Sequence, residues 1–308
     1  MSGTEPLVSI GLPVRNGERT VGRAIRTVLD QDYTHFELVI SDNASDDGTE
    51  EICRELARSD ERVRYIRQPE NIGLIPNFYA VLHQGRGTYF KWMGDDDWLA
   101  PTFVRRCVDV FEGDPELLVV TTRQGHVGPD GRVVSTGYDR DELRSPRALE
   151  RFIGLLYVLA ESDVDLDVLY GMVRPGPVAA LPRPVVMHED QVFAARLALA
   201  GPFGHIDEIL SYRHQPPFGT HAATARRLGV PVWQARVPNL VLCRELSIAV
   251  QEVGLDPGEL REARGAIRHL FVRRQQVTAA RRARKVGGLV SRRPSRRLAI
   301  SSASRSGR

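Results

Sequence analysis

A chain of 308 residues, 42% hydrophobic and 26% charged, has room for one large α/β domain plus an appendage. Its three cysteines, Cys53, Cys107 and Cys243, form no Cys-x-x-Cys pair, which argues against a disulfide framework or a structural zinc site and suits a reducing cytoplasm. The net charge of +3 hides an asymmetry: residues 281–308 carry ten Arg/Lys and no Asp/Glu, leaving 32 basic and 39 acidic side chains on the rest.

The N-terminus lacks the basic and apolar regions of a signal peptide. Apolar runs such as Phe152–Ala160 are too short to cross a bilayer, so a membrane role is expected only at the surface, on the inner face.

Leu7–Val14 is a short apolar segment expected as the first strand. Arg19–Gln31 follows with apolar residues at 21, 24, 25, 28 and 29, the spacing of one helical face. Phe36–Ser41 predicts a second strand, followed by the polar, cap-rich turn Asp42–Thr49 and a short helix over Glu50–Arg58. A third strand is expected at Val63–Arg67, a third helix at Asn77–Gln84 and a fourth strand at Thr88–Met93. That strand runs into Gly94-Asp95-Asp96-Asp97-Trp98. Adjacent like charges repel, so three carboxylates at a strand end call for a compensating cation. Their hard oxygens suit Mg²⁺ or Mn²⁺ carrying a substrate diphosphate.

Alternation of strand and helix predicts a mostly parallel sheet covered on both faces. Ligands of such sheets bind beyond the carboxyl ends of the strands. That rule gathers Pro13–Asn16, Asp42–Ser45, Glu70–Gly73 and Asp95–Asp97 at one edge.

Further on, a helix is expected at Thr102–Phe111, a strand at Leu117–Thr122, a hairpin turn at Gly128–Gly131 and a helix at Arg147–Ala160. Val168–Val173 is expected as a short strand between loops. Val185–Gln191 contains His188-Glu189-Asp190 ahead of a helix over Gln191–Ala200, where Asp190 could act as an N-cap. His205–Tyr212 alternates as a strand, with Arg213 and His214 opening a loop. Trp233–Val250 and Pro257–Arg284 look helical. From Arg281 onward the chain is rich in Arg, Ser and Gly and is expected to be disordered. The expected division is therefore 1–222, a helical region 223–280 and a basic tail 281–308.

Val8–Glu18, Val39–Thr49, Glu70-Asn71-Ile72-Gly73 and the acidic triplet together resemble, in order and spacing, the inverting nucleotide-sugar glycosyltransferases of family 2. The resemblance covers roughly residues 6–215. It implies a Rossmann-like GT-A fold with a helical C-terminal appendage. Pro13, Val14, Arg15, Asn16 and Glu18 would then line the donor nucleotide, and Asp42 would accept hydrogen bonds from its base or ribose. Asn71 and Gly73 would close over the base. Asp95 and Asp96 would meet the ribose and the metal-bound diphosphate. Gly94 stands where the family's first metal-side acid falls, so the metal pair is Asp96 with either Asp95 or Asp97. Asp190 matches the family's catalytic base, which takes the acceptor proton. Glu189 and His188 are second candidates, Arg213 would pair with the diphosphate, and His214 would add a metal ligand.

The expected partners are a nucleotide-sugar donor, with UDP the default nucleotide, and a carbohydrate, lipid-linked or small-molecule acceptor. The basic tail would add attraction to an anionic membrane; nucleic acid is disfavoured because no aromatics interleave with the arginines. The competing classes are a nucleotidyltransferase and a non-catalytic binder of sugar nucleotides or nucleic acid using the tail.

Overall fold

The computed structural model describes residues 5–136, 140–161, 168–214 and 220–290. Its first half alternates as the periodicity demands: β1 (Val8–Val14), α1 (Val21–Leu29), β2 (Phe36–Asp42), α2 (Thr49–Ser59), β3 (Val63–Arg67), α3 (Leu74–Gln84) and β4 (Tyr89–Trp92). The second half is β5 (Trp98–Leu99), α4 (Phe103–Gly113), β6 (Val119–Val127), β7 (Val133–Thr136), α5 (Ala148–Glu161), β8 (Met172–Val173), α6 (Pro175–Ala179), α7 (Glu189–Ala200) and β9 (Phe203–His214). Four helices follow: α8 (His221–Leu228), α9 (Val232–Arg236), α10 (Pro238–Glu252) and α11 (Pro257–Val290).

One sheet runs in the order β3-β2-β1-β4-β8-β6-β9-β5, with β7 beside β6. The strands β3, β2, β1 and β4 are mutually parallel; beyond β4 the sheet is mixed. The chain leaves β1 on one side to build β2 and β3, then returns to its other side for β4. That reversal makes a crevice between the carboxyl ends of β1 and β4.

Side chains on β4 alternate between two cores, as strand geometry requires. Phe90 and Trp92 pack with α3, α5, α7, α10 and α11, whereas Tyr89 and Met93 pack with α1 and α4. Ile10, Leu12, Leu38 and Ile40 join the second core. The C-terminal helices pack on the body: Leu242, Leu246, Val250, Ile267 and Leu270 are buried in the first core with Phe152 and Phe193. No helix among the described residues is long and apolar enough to cross a membrane.

Several elements differ from expectation. Helix α3 starts at Leu74, with Pro76 in its first turn, where a missing N–H costs nothing. Expected strand Val168–Val173 is a 3₁₀ turn followed by the two-residue β8. The helix expected over Trp233–Val250 is two, broken at Val237 with Pro238 opening α10. Helix α11 runs to Val290, well into the stretch expected to be disordered; residues 291–308 lie outside the described ones.

Candidate active site

Three of the polar loops at the sheet edge are hydrogen-bonded into one unit, and the fourth, the turn after β4, bonds to Thr20 and Arg23 at the start of α1. Asn16 N–H donates to Ser45 Oγ at 3.0 Å and Gly17 N–H to Thr49 Oγ1 at 2.8 Å. Asp46 N–H donates to Asn16 Oδ1, Glu18 N–H to Asp47, and Gly48 N–H to Glu18 Oε2. Asn43 then ties in the third loop, donating to Asn71 Oδ1 (2.9 Å) and the Gly73 carbonyl (3.1 Å) and accepting from Ile72 N–H (2.8 Å). Gly73 has φ +93°, a conformation that a side chain would strain.

Within this unit the expected residues divide. Pro13 and Val14 are buried at the end of β1, while Arg15, Asn16 and Asn71 are exposed at the edge. Glu18 is also exposed, and its carboxylate fixes the turn before α2. Asp42 is fully buried. Its Oδ1 accepts from Ser45 N–H (2.9 Å) and Ser45 Oγ (2.5 Å), and its Oδ2 accepts from the Tyr65 hydroxyl (2.7 Å). The carboxylate expected to meet a base thus also holds the floor of the turn in this structure, with three donors on it.

The three acids after β4 diverge. Asp95 turns toward α1, accepting from Thr20 Oγ1 at 3.1 Å, and lies so close over Gly17 that a Cβ there would come within 2.6 Å of Oδ2. Burial, then the adjacent Asp96, pushes its pKa up to about 6. Asp96 is exposed, and its carbonyl accepts from Arg23 at 3.2 Å. Asp97 turns into the body, 5% exposed, accepting from Gly94 N–H at 3.2 Å and lying 3.4 Å from Arg213 Nε. Burial raises its pKa, opposed by Arg213 and Lys91.

Strand β9 clamps this turn from the side. Arg213 and His214 extend the strand beyond Tyr212, whose ring stacks on Trp98 at 5.7 Å. Arg213 thus neutralises Asp97. His214 Nε2 lies 3.2 Å from the Arg23 guanidinium, which stacks over Trp98 at 4.2 Å.

Among the described residues no three His, Cys, Asp or Glu side chains gather as a closed metal cage. The donor set instead fits a cation that keeps several waters and takes substrate phosphate oxygens, which needs only one or two carboxylates. Asp96 and Asp95 are the carboxylates that would supply those hard oxygens. Asp97, a third candidate, faces inward and is paired with Arg213.

Helix α7 carries the other chemical stretch and is pinned at both ends. At its C-terminus the buried Arg151 donates to the carbonyls of Ala198 (2.6 Å) and Leu199 (3.0 Å), groups a helix end leaves open. At its N-terminus Arg183 grips Glu189 through two hydrogen bonds of 2.6 and 3.1 Å, both residues buried. Arg274 of α11 donates to Gln191 Oε1 at 2.7 Å. Phe193, one turn beyond Asp190, meets Trp92 edge-on at 6.0 Å, so the start of α7 leans on the end of β4.

The cap position belongs to His188, in the left-handed region at φ 61°; Asp190 is the helix's second residue and no N-cap. Glu189 is committed to Arg183. Burial, with Arg274 and His221 adding repulsion, pushes the His188 pKa down to about 3, so that ring stays neutral near pH 7. Asp190, half-buried, is left as the base candidate on this helix.

Asn16, Ala44 and His188 are the non-glycine residues with positive φ among the described residues, and all lie in these loops. Such strain concentrates at functional sites. Sequence reasoning had no signal for Ala44, and it missed Thr20, Arg23 and Arg183, whose partners lie far along the chain or on another element.

This sheet, with its switch point and acidic turn, is the architecture of GT-A glycosyltransferases. It superposes on Staphylococcus aureus TarS residues 1–349 in complex with UDP-GlcNAc at a TM-score of 0.62 and 15% identity, covering 85% of this chain and 72% of that one. It also superposes on the mannosyltransferase PcManGT from Pyrobaculum calidifontis, in complex with GDP-Man and Mn²⁺, at 0.58 and 16% identity, covering 91% and 76%. Residues 9–154, just under half of the chain, match the family described as Glycosyl transferase family 2. A chondroitin synthase of Escherichia coli is 32% identical over 152 residues, 48% of this chain and 22% of that protein. The match thus spans about a fifth of the length of that relative.

Proposed function

We propose that this chain is an inverting glycosyltransferase that moves a sugar from a nucleoside diphosphate donor, by preference a UDP-sugar, onto an acceptor hydroxyl. The observation that carries the reading is the hydrogen-bonded edge itself. Four loops from three parallel β/α units and the β4 turn meet where a nucleotide can lie, with exposed Arg15, Asn16 and Asn71 at its rim and Asp95 and Asp96 at its end. The UDP-GlcNAc and GDP-Man complexes of the two structural neighbours agree with a nucleotide-sugar donor.

In this reading Pro13–Asn16, Asn71 and Gly73 hold the nucleotide, Gly73 letting the backbone approach closely. Asp95 and Asp96 would hold a Mg²⁺ or Mn²⁺ ion, which would offset charge growing on the leaving diphosphate. Asp190 takes the proton of the acceptor hydroxyl as that oxygen bonds to the anomeric carbon. The bond from that carbon to the diphosphate oxygen breaks on the opposite face, so configuration inverts and nucleoside diphosphate leaves.

The test is a panel of UDP-, dTDP- and GDP-sugars assayed with EDTA, then with Mn²⁺ or Mg²⁺ restored. Transfer is expected to disappear in chelator and return with metal, releasing free nucleoside diphosphate. Full activity in EDTA would remove the metal, and pyrophosphate as product would replace the reading with nucleotidyl transfer.

A further inference from the structure

Four of the ten large hydrophobic side chains that stand exposed among the described residues fall within residues 232–240, and a fifth, Val185, lies two residues before Met187, whose N–H bonds α9. They are Val185 (46% exposed), Val232 (57%), Trp233 (57%), Val237 (37%) and Leu240 (53%). An exposed tryptophan with aliphatic neighbours marks a surface that expects a partner. Val237, Leu240 and the exposed Arg244, which is ion-paired with Glu245, recur at steps of three and four, so they line one side of α10. Helix α8, packed on α9, adds the exposed Arg226 and Arg227, and α9 ends in the exposed Arg236.

The charge on this stretch has one sign. From residue 209 to 244 there are five arginines and no Asp or Glu; from 263 to 308 there are 14 Arg/Lys and again no acid. In the chain as a whole, acids nearly match bases, 39 to 42. The two acid-free segments meet at the start of α7. Met187 N–H donates to Gln234 Oε1 of α9 at 3.0 Å, His188 stacks edge-on with His221 of α8 at 5.9 Å, and Arg274 of α11 holds Gln191.

We propose that α8, α9 and the first turns of α10 form a docking face for an anionic lipid surface, with Trp233 as its interfacial anchor and Arg226, Arg227 and Arg236 as its charged rim. Apolar side chains among arginines, without acids, match a bilayer surface, where indole sits at headgroup level and cations meet anionic lipid. A single aromatic does not make the stacking platform that single-stranded nucleic acid needs. Because the face adjoins the start of α7, docking brings the acceptor side of the site to the membrane and selects a lipid-linked acceptor. That consequence rests on Asp190 being the base; the docking does not.

The experiment sediments the full chain with vesicles of phosphatidylcholine, with or without phosphatidylglycerol, and follows slow hydrolysis of a UDP-sugar in the same samples. The chain is expected to bind only the anionic vesicles, and less as salt rises. Each arginine lost in Arg226→Gln and Arg227→Gln lowers the partition coefficient about fivefold. Trp233→Ser lowers it roughly tenfold, the cost of losing a buried aromatic contact. Donor hydrolysis stays unchanged in all three variants, since none touches the donor edge. Equal vesicle binding by wild type and variants would overturn the proposal, as would no binding at all or retention by nucleic acid or a second copy of the chain instead. Loss of hydrolysis with vesicle binding intact would count against the transferase reading and leave the docking standing.

Discussion

The loop edge proposed as the donor side and the helix start proposed as the acceptor side are built by different means. On the donor side, loops that follow consecutive strands are stitched to one another by polar contacts: Asn16 to Ser45, Gly17 to Thr49, Asn43 to Asn71. On the acceptor side, Asp190 is placed by a helix held from distant parts of the chain by Arg151 and Arg274, and at its first turn by Arg183, six residues before Glu189. The first kind of site is written in local motifs. The second depends on which helices happen to pack together, so its geometry is set by tertiary structure alone.

Breaking the Arg183–Glu189 pair tests that contrast most severely. Glu189→Gln leaves a buried guanidinium uncompensated and should cost about 3–5 kcal/mol in urea unfolding, with kcat falling as α7 loosens. A double change, Arg183→Met with Glu189→Leu, should recover most of the stability. If the single variant unfolds like wild type, the helix is not held by this contact.

A smaller effect of opposite sign is expected on the donor side. Asp95 has a folded pKa near 6, above the roughly 3.9 of an unfolded aspartate, so between those values the folded state holds a proton that the unfolded state lacks. Its contribution to stability is therefore fully present below about pH 4 and is lost as pH rises through 6. Asp95→Asn should stabilise the metal-free protein by about 1–2 kcal/mol at pH 7, with the gain vanishing near pH 4, while weakening metal binding. A uniform gain at all pH values would point to packing rather than charge.

The smallest change is expected at Ala44, whose φ of 54° is costly for a residue with a Cβ. Ala44→Gly should be stabilising by up to about 1 kcal/mol, read as a small rise in Tm, because relief of strain is partly offset by chain entropy.

These two regions also differ in how far the sequence revealed them. The period-two and period-3.6 patterns placed β1 to β4 and their helices, and β3 was bounded correctly to the residue. The four loops could be assigned to one edge because a parallel sheet requires it. Burial of Asp42 could not be foreseen, since it depends on Tyr65 reaching across from β3. Nor could the inward turn of Asp97, which follows from Arg213 lying at the end of an extended β9 rather than in a loop. Helix α8 was hidden by the proline- and glycine-rich approach to it. The break at Val237 was legible in principle, because Pro238 is a helix-opening residue.

The central claim is that a base on α7 works across from a nucleotide edge built on β1, β2 and β4. Paired calorimetry and transfer assays on Asp190→Asn test it directly. The account predicts that UDP binding stays within about twofold of wild type while kcat falls by roughly 10²–10⁴. Undiminished turnover in that variant would contradict it.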